Sequence, residues 1–153
     1  MIIVLDSFPT SSVSKLPGKK PPTVSDQCRQ WIYDCEAAGH RILVPAIAYY
    51  EALREIERRQ ASSQMTRLKA FCLRSDRFLP LATEDLDLAA RLWGQSRRAG
   101  LPTADPQALD GDVIVAAQTL NLGIGPPDLI VATTNPAHIS RYVPADLWTN
   151  IHP

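Results

Sequence analysis

Asp110 and Asp112 flank a glycine at the head of an apolar run, LDGDVIVAAQTL over residues 109–120. Either carboxylate could cap a helix, accepting hydrogen bonds from free amides at the positive end of its dipole. A pair of acids is also what a hard divalent cation needs, because Mg2+ and Mn2+ prefer oxygen ligands. Capping explains one aspartate and leaves the other over. From Val113 to Ala117 the run is apolar all round, the mark of a buried helix, so an acid at its entrance lies near the edge of the core. A third acid, Asp6, closes the short run IIVL and reads equally as a strand terminator or as a metal ligand.

These acids need elements to position them. Ile2 to Leu5 is short and β-branched, as in a strand buried on both faces. After it, residues 8–22 carry Pro9, Pro17, Pro21 and Pro22 among polar side chains, and an exposed Pro-rich loop is expected there. Ser25 and Asp26 are candidate caps for a helix whose Cys28, Trp31, Ile32 and Cys35 form one buried stripe, with Gly39 as its stop. RILVP is a second strand, followed by the helix of AIAYYEALREIERR, on whose charged side Glu51 falls. Ser62 and Ser63 start another helix, and residues 78–81 suggest a third strand. Thr83 is the expected cap of EDLDLAARLWGQSRRAG, which has acids in its first turn, arginines in its last and Gly100 as its stop. The LDGDVIVAAQTL helix and a fourth strand at residues 129–132 complete the series. Strands alternating with helices and no hairpin signal imply an α/β domain with a mostly parallel, doubly covered sheet. In such sheets function gathers beyond the carboxyl ends of the strands, which selects Asp6 and the Thr133-Thr134-Asn135 segment.

The chain has 153 residues, a common size for one domain, with 45% hydrophobic and 21% charged residues. Its formal net charge is zero, so any nucleic-acid contact must rest on a local patch. The segment from Arg54 to Arg77 holds seven basic residues against Glu55, Glu57 and Asp76, and reads first as solvated helix faces and second as such a patch. Three cysteines, and scattered His40, His138 and His152, lack zinc spacing; the cysteines read as reduced core. The opening MIIVLDS has no basic segment followed by a long apolar stretch, and no run reaches the roughly 18 apolar residues of a membrane span. A cytoplasmic location without membrane contact is the expectation. Serine-hydrolase and nucleotide-loop motifs are absent.

Four segments, in order along the chain, resemble the PIN-domain family. Val4-Leu5-Asp6-Ser7 is similar to its opening strand and first acid, and Glu51 in YYEALREI to its second. Asp112-Val113-Ile114-Val115-Ala116-Ala117 is similar to its D-x-x-I-A-A segment, and Ile130-Val131-Ala132-Thr133-Thr134-Asn135 to its closing strand and T-x-N turn. The resemblance implies a single PIN-like three-layer α/β/α domain over residues 1–153. It also implies a Mg2+- or Mn2+-dependent endoribonuclease, as in VapC-type toxins, with RNA as substrate, an antitoxin protein as partner and a homodimeric state. On it Asp6, Glu51 and Asp112 hold the metal, Asn135 completes the catalytic set, and Ser7, Asp110, Thr133 and His138 form an outer shell. Arg54, Arg58 and Arg67 would contact phosphates.

Two departures stand out. The family commonly places an acid three residues beyond the asparagine, where this chain has His138, first read as a surface histidine. The Pro-rich segment stands where relatives begin a helix. Together with zero net charge, these favour as the alternative a catalytically degraded PIN-like binding module. A phosphatase of the haloacid-dehalogenase type is faintly suggested by Asp6-Ser7-Phe8-Pro9-Thr10. There Phe8 stands where that family has its second aspartate, and no convincing lysine motif follows.

Overall fold

The computed structural model describes residues 1–18, 21–102, 105 and 109–153. Five strands, β1 (Ile2–Leu5), β2 (Arg41–Pro45), β3 (Phe78–Leu79), β4 (Leu129–Thr133) and β5 (Ala145–Leu147), form one parallel sheet in the order β3-β2-β1-β4-β5. Around it lie α1 (Ser7–Ser12), α2 (Val24–Ala37), α3 (Ala46–Arg58), α4 (Ser62–Cys72), α5 (Thr83–Arg98), α6 (Gly111–Leu120) and α7 (Pro136–Ile139).

Alternation along the strands divides the core between the two faces of the sheet. Ile3, Leu5, Ile42 and Val44 pack with α2, α3 and α4, where Trp31 and Trp148 also meet at 5.7 Å between ring centroids. Val4, Leu43, Leu129 and Val131 pack with α5, α6 and α7. Both faces of β1 are therefore covered, which is why its sequence is a continuous apolar run. Cys28, Cys35 and Cys72 are free and buried, as expected, and burial pushes the Cys28 and Cys72 thiols up to about 12.

The chain leaves β1 toward β2 on one side and later returns to β4 on the other, so the strand order reverses between β1 and β4. A crevice opens at such a reversal, beyond the carboxyl ends of the strands. Asp6 sits at that point, its amide donating to the Ala132 carbonyl at 3.0 Å.

The expected loop at residues 8–22 is corrected in its first part. Helix α1 starts directly after Asp6, whose side chain accepts the Ser7 amide at 2.7 Å as N-cap. Pro9 falls in the first turn of α1, where its missing N–H costs no intrahelical bond, so it permits a helix that composition argued against. Residues 19 and 20 of the expected loop lie outside the described residues. Caps shift as well. Thr23, not Ser25, caps α2, and Ala82 precedes α5 in the cap position, its amide donating to Asp85 at 2.8 Å. Strand β3 stops at Leu79, before Pro80, and β5 went unread because it is three residues long and incompletely buried.

Asp26 fastens the segment after α1 to α2. Its carboxylate accepts from the Thr23 hydroxyl at 2.7 Å, the Thr23 amide at 2.9 Å, Arg29 at 2.7 Å and the Gly18 amide at 3.0 Å. Those bonds, the Thr23 hydroxyl foremost, hold its carboxyl well below the usual carboxylate range. A lowered folded pKa stabilises the fold above the unfolded value, near 4, and the contribution is lost as pH falls toward the folded one. Asp26→Asn is therefore expected to melt below wild type at neutral pH, with the difference shrinking below about pH 4. Thermal unfolding at several pH values checks this; a gap that does not change with pH would contradict it.

Candidate active site

Each acid comes to the crevice from a different element. Asp6 follows β1 and accepts the Thr133 hydroxyl at 2.6 Å through its second oxygen. That hydroxyl oxygen in turn accepts the Asn135 amide at 3.0 Å. The closing T-x-N segment thus fixes Asp6 across the β1–β4 junction.

Glu51 lies on α3, one turn into the helix after β2, and its side chain is half-buried rather than solvated as periodicity suggested. The Ser7 hydroxyl donates to its carboxylate, and Arg54 stands 3.7 Å away. The carboxylate lies against Gly111: a Cβ built there would come within 2.8 Å of Oε1 and 3.2 Å of Cδ. Glycine therefore makes the space that brings Glu51 onto the start of α6. In the sequence the one mark on Gly111 is its place between two acids.

The two aspartates of the DGD stretch take different roles. Asp110 is the N-cap of α6, accepting the Val113 amide at 3.3 Å, and is buried. Asp112, in the first turn, has its Oδ2 3.0 Å from Nδ1 of His138. His138 Nδ1 is also 3.4 Å from the Asn135 amide nitrogen. The surface-histidine reading of His138 is thereby corrected: the short α7 turns the ring back onto Asp112, a contact between residues 26 apart that local sequence does not encode. Burial, then the negative charges of Asp6 and Asp110, raises the Asp112 carboxyl, while the His138 contact opposes the rise.

Ser7, Gly111 and Thr133 thus link Asp6, Glu51 and the head of α6 into one acidic cluster, partly offset by the amide ends of α1 and α6. As the side chains lie, no three His, Cys, Asp or Glu groups among the described residues share one ion-sized position, since each acid is turned to a partner of its own. The donor set still fits a hard divalent cation. It is all oxygen from three separate elements, and its crowding raises the cost of ionising Asp112, a cost that a cation would relieve. Asp6, Glu51 and Asp112 are the residues that could hold it.

The basic segment divides. Arg54 lines a cavity of about 450 Å3 that opens beside Ser7 and Glu51. Arg58 points both sides of its fork at Glu55, at 2.9 and 2.7 Å. Arg67 donates to the Ser14 carbonyl at 2.7 Å and lines a different cavity, with Arg74 and Arg77. Arg77 is structural: it is buried, ion-paired with Glu36 and 3.7 Å over the Phe71 ring.

No protein-family model matches this chain, and no curated protein matches it in sequence. Solved structures do match in fold. The crystal structure of VapBC2 from Rickettsia felis bound to a promoter DNA fragment superposes with a TM-score of 0.67 at 14% identity, covering 97% of this chain and 99% of that one. FitAB bound to an IR36 DNA fragment gives 0.68 at 15%, covering 99% and 98%. VapBC-1 from nontypeable Haemophilus influenzae gives 0.58 at 15%, covering 97% and 99%. The likeness is one of fold, and the fold is the PIN-like α/β/α architecture expected from the sequence. Among the described residues, no helix is long and apolar enough to cross a membrane.

Proposed function

We propose that the protein is a divalent-metal-dependent endoribonuclease of the VapC type, the toxin of a toxin–antitoxin pair. What supports this is the neighbourhood of the three acids: Ser7 joins Asp6 to Glu51, Glu51 lies against Gly111, and Asp112, next to that glycine, feels the charge of Asp6. The overall likeness to VapBC and FitAB structures supports the choice of class and of an antitoxin partner.

When bound, Mg2+ or Mn2+ would supply charge stabilisation at the scissile phosphate and a more acidic bound water. The chain's own residues do the rest. Thr133 and the Ser7 amide fix both Asp6 oxygens, so that this carboxylate stays in one orientation. Ser7 holds Glu51, and His138 holds Asp112. Asn135 has an exposed side chain beside His138, placed to donate an amide hydrogen to a water or a phosphate oxygen.

The test is RNA cleavage by wild type and Asp6→Asn, each with and without Mn2+. Cleavage by wild type alone, and only with metal, is the expected result. Equal cleavage by both proteins would assign the activity to a contaminating nuclease, and wild type inert with Mn2+ would leave the degraded binding module as the better reading.

A further inference from the structure

The cavity beside the acids extends as a groove between α1 and α3, and only its mouth meets Ser7 and Glu51. Ser7, Ser11 and Ser14 recur at i, i+4 and i+7 and line one wall; Glu51, Glu55 and Arg59 recur at i, i+4 and i+8 and line the other. Arg59 is thus about 12 Å along the helix axis from Glu51. Lys15 stands in the same lining, 5.7 Å over the Phe8 ring.

The polar groups of this groove differ from those at the acids. Ser11 Oγ donates to the Phe8 carbonyl at 2.9 Å, so its proton turns inward and its oxygen remains as an acceptor, while Ser14 Oγ donates to the Ser11 carbonyl at 2.7 Å and is buried. Lys15 donates to the Ser25 hydroxyl at 2.9 Å, its one polar side-chain partner among the described residues, and an ammonium has further protons to donate. Arg59 bonds the Glu55 carbonyl and Gln64, both at 3.3 Å, and stands 3.4 Å from the Glu55 carboxylate; all three contacts are long and leave guanidinium N–H groups to donate. Acceptors beside donors match a ribose hydroxyl next to a phosphate, since the 2′-OH can donate while phosphate oxygens only accept. A volume of about 450 Å3 lies within the usual span of small-ligand sites.

We propose that this groove holds one nucleotide of single-stranded RNA adjoining the scissile phosphate, with its own phosphate on Lys15 and Arg59 and its ribose hydroxyl on Ser11. The proposal rests on the ribonuclease reading and extends it to residues outside the acidic cluster. Lys15 lies outside the basic segment suggested by sequence and comes to the groove only through α1, whereas Arg59 lies within that segment but is not one of the three arginines named for phosphate contact.

The test measures binding of a labelled mixed-sequence RNA oligonucleotide to Asp112→Asn protein, which isolates binding from cleavage, over a range of KCl concentrations; Asp6→Asn serves as a second parent should the first fold poorly. Adding Lys15→Gln or Arg59→Gln is expected to weaken binding about tenfold each. Each should also flatten the slope of log affinity against log salt by about 0.7, the loss of one phosphate contact on a single strand. Arg74→Gln, in the other cavity, should change neither. Unchanged affinity and slope in both groove variants, or no RNA binding by the parent, overturns the subsite even where Asp6→Asn has abolished cleavage. Lost antitoxin binding with intact RNA affinity would assign the groove to a protein partner, which also overturns it. Should wild type fail to cleave while the groove variants still lose RNA binding, the subsite stands and the hydrolytic reading falls.

Discussion

Asp112→Asn is expected to lower RNA cleavage at least about a thousandfold while leaving the thermal midpoint unchanged or raised. The kinetic loss follows from removing one carboxylate from a three-acid site: a thousandfold corresponds to about 4 kcal/mol of barrier, within what a correctly held metal supplies to a phosphate reaction. The stability side runs the other way. Asp112 is half-buried, faces the charges of Asp6 and Asp110, and is harder to ionise than an ordinary aspartate. A carboxyl whose folded pKa is raised above its unfolded value weakens the fold once the pH exceeds the unfolded value, so a neutral amide removes a destabilising charge at neutral pH. Asparagine keeps the shape and can still meet His138. Cleavage assays beside thermal unfolding check both halves. A variant that loses activity only because it unfolds would show a lowered midpoint, and that result would contradict the site assigned to Asp112.

Gly111→Ala tests the geometry without touching any acid. Alanine in a helix is favoured over glycine by up to about 1 kcal/mol, and Gly111 does not adopt the positive φ that would strain it. The added Cβ would stand 2.8 Å from one Glu51 oxygen and 3.4 Å from the other, so the carboxylate must move. A displacement of that order at a reacting centre can cost about a hundredfold in rate. The expected result is a protein as stable as wild type or more so, with cleavage reduced by about two orders of magnitude. Full activity in the alanine variant would mean that the position of Glu51 against α6 does not matter to the reaction.

Much of this site was legible because three of its parts lie at the ends of buried elements. The apolar runs before Asp6 and Asn135 and after Asp112 identify strand and helix termini, and the parallel-sheet rule sends those termini to one edge. Glu51 was different. On its own helix it belongs to the charged side, and only the ordered resemblance selected it; the reason is tertiary, since its carboxylate is received by Ser7 on α1 and by the absent side chain of Gly111 on α6. His138 was misjudged for the same kind of reason, its partner being distant in sequence and brought near by α7. Proline content hid α1, since composition records that a proline is present and not that Pro9 falls in the first turn. The basic segment read as one patch because sequence does not show that α3 and α4 face different cavities, or that Glu55 and Glu36 already engage Arg58 and Arg77.

That Asp6, Glu51 and Asp112 act as one metal site is tested most directly by titrating Mn2+ into wild type and Asp112→Asn and following the loss of the free-ion electron paramagnetic resonance signal. Saturable binding by wild type, weakened at least about tenfold in the variant, is the result expected of three carboxylates sharing one ion. Equal Mn2+ affinity in the two proteins, or none in either, would contradict it.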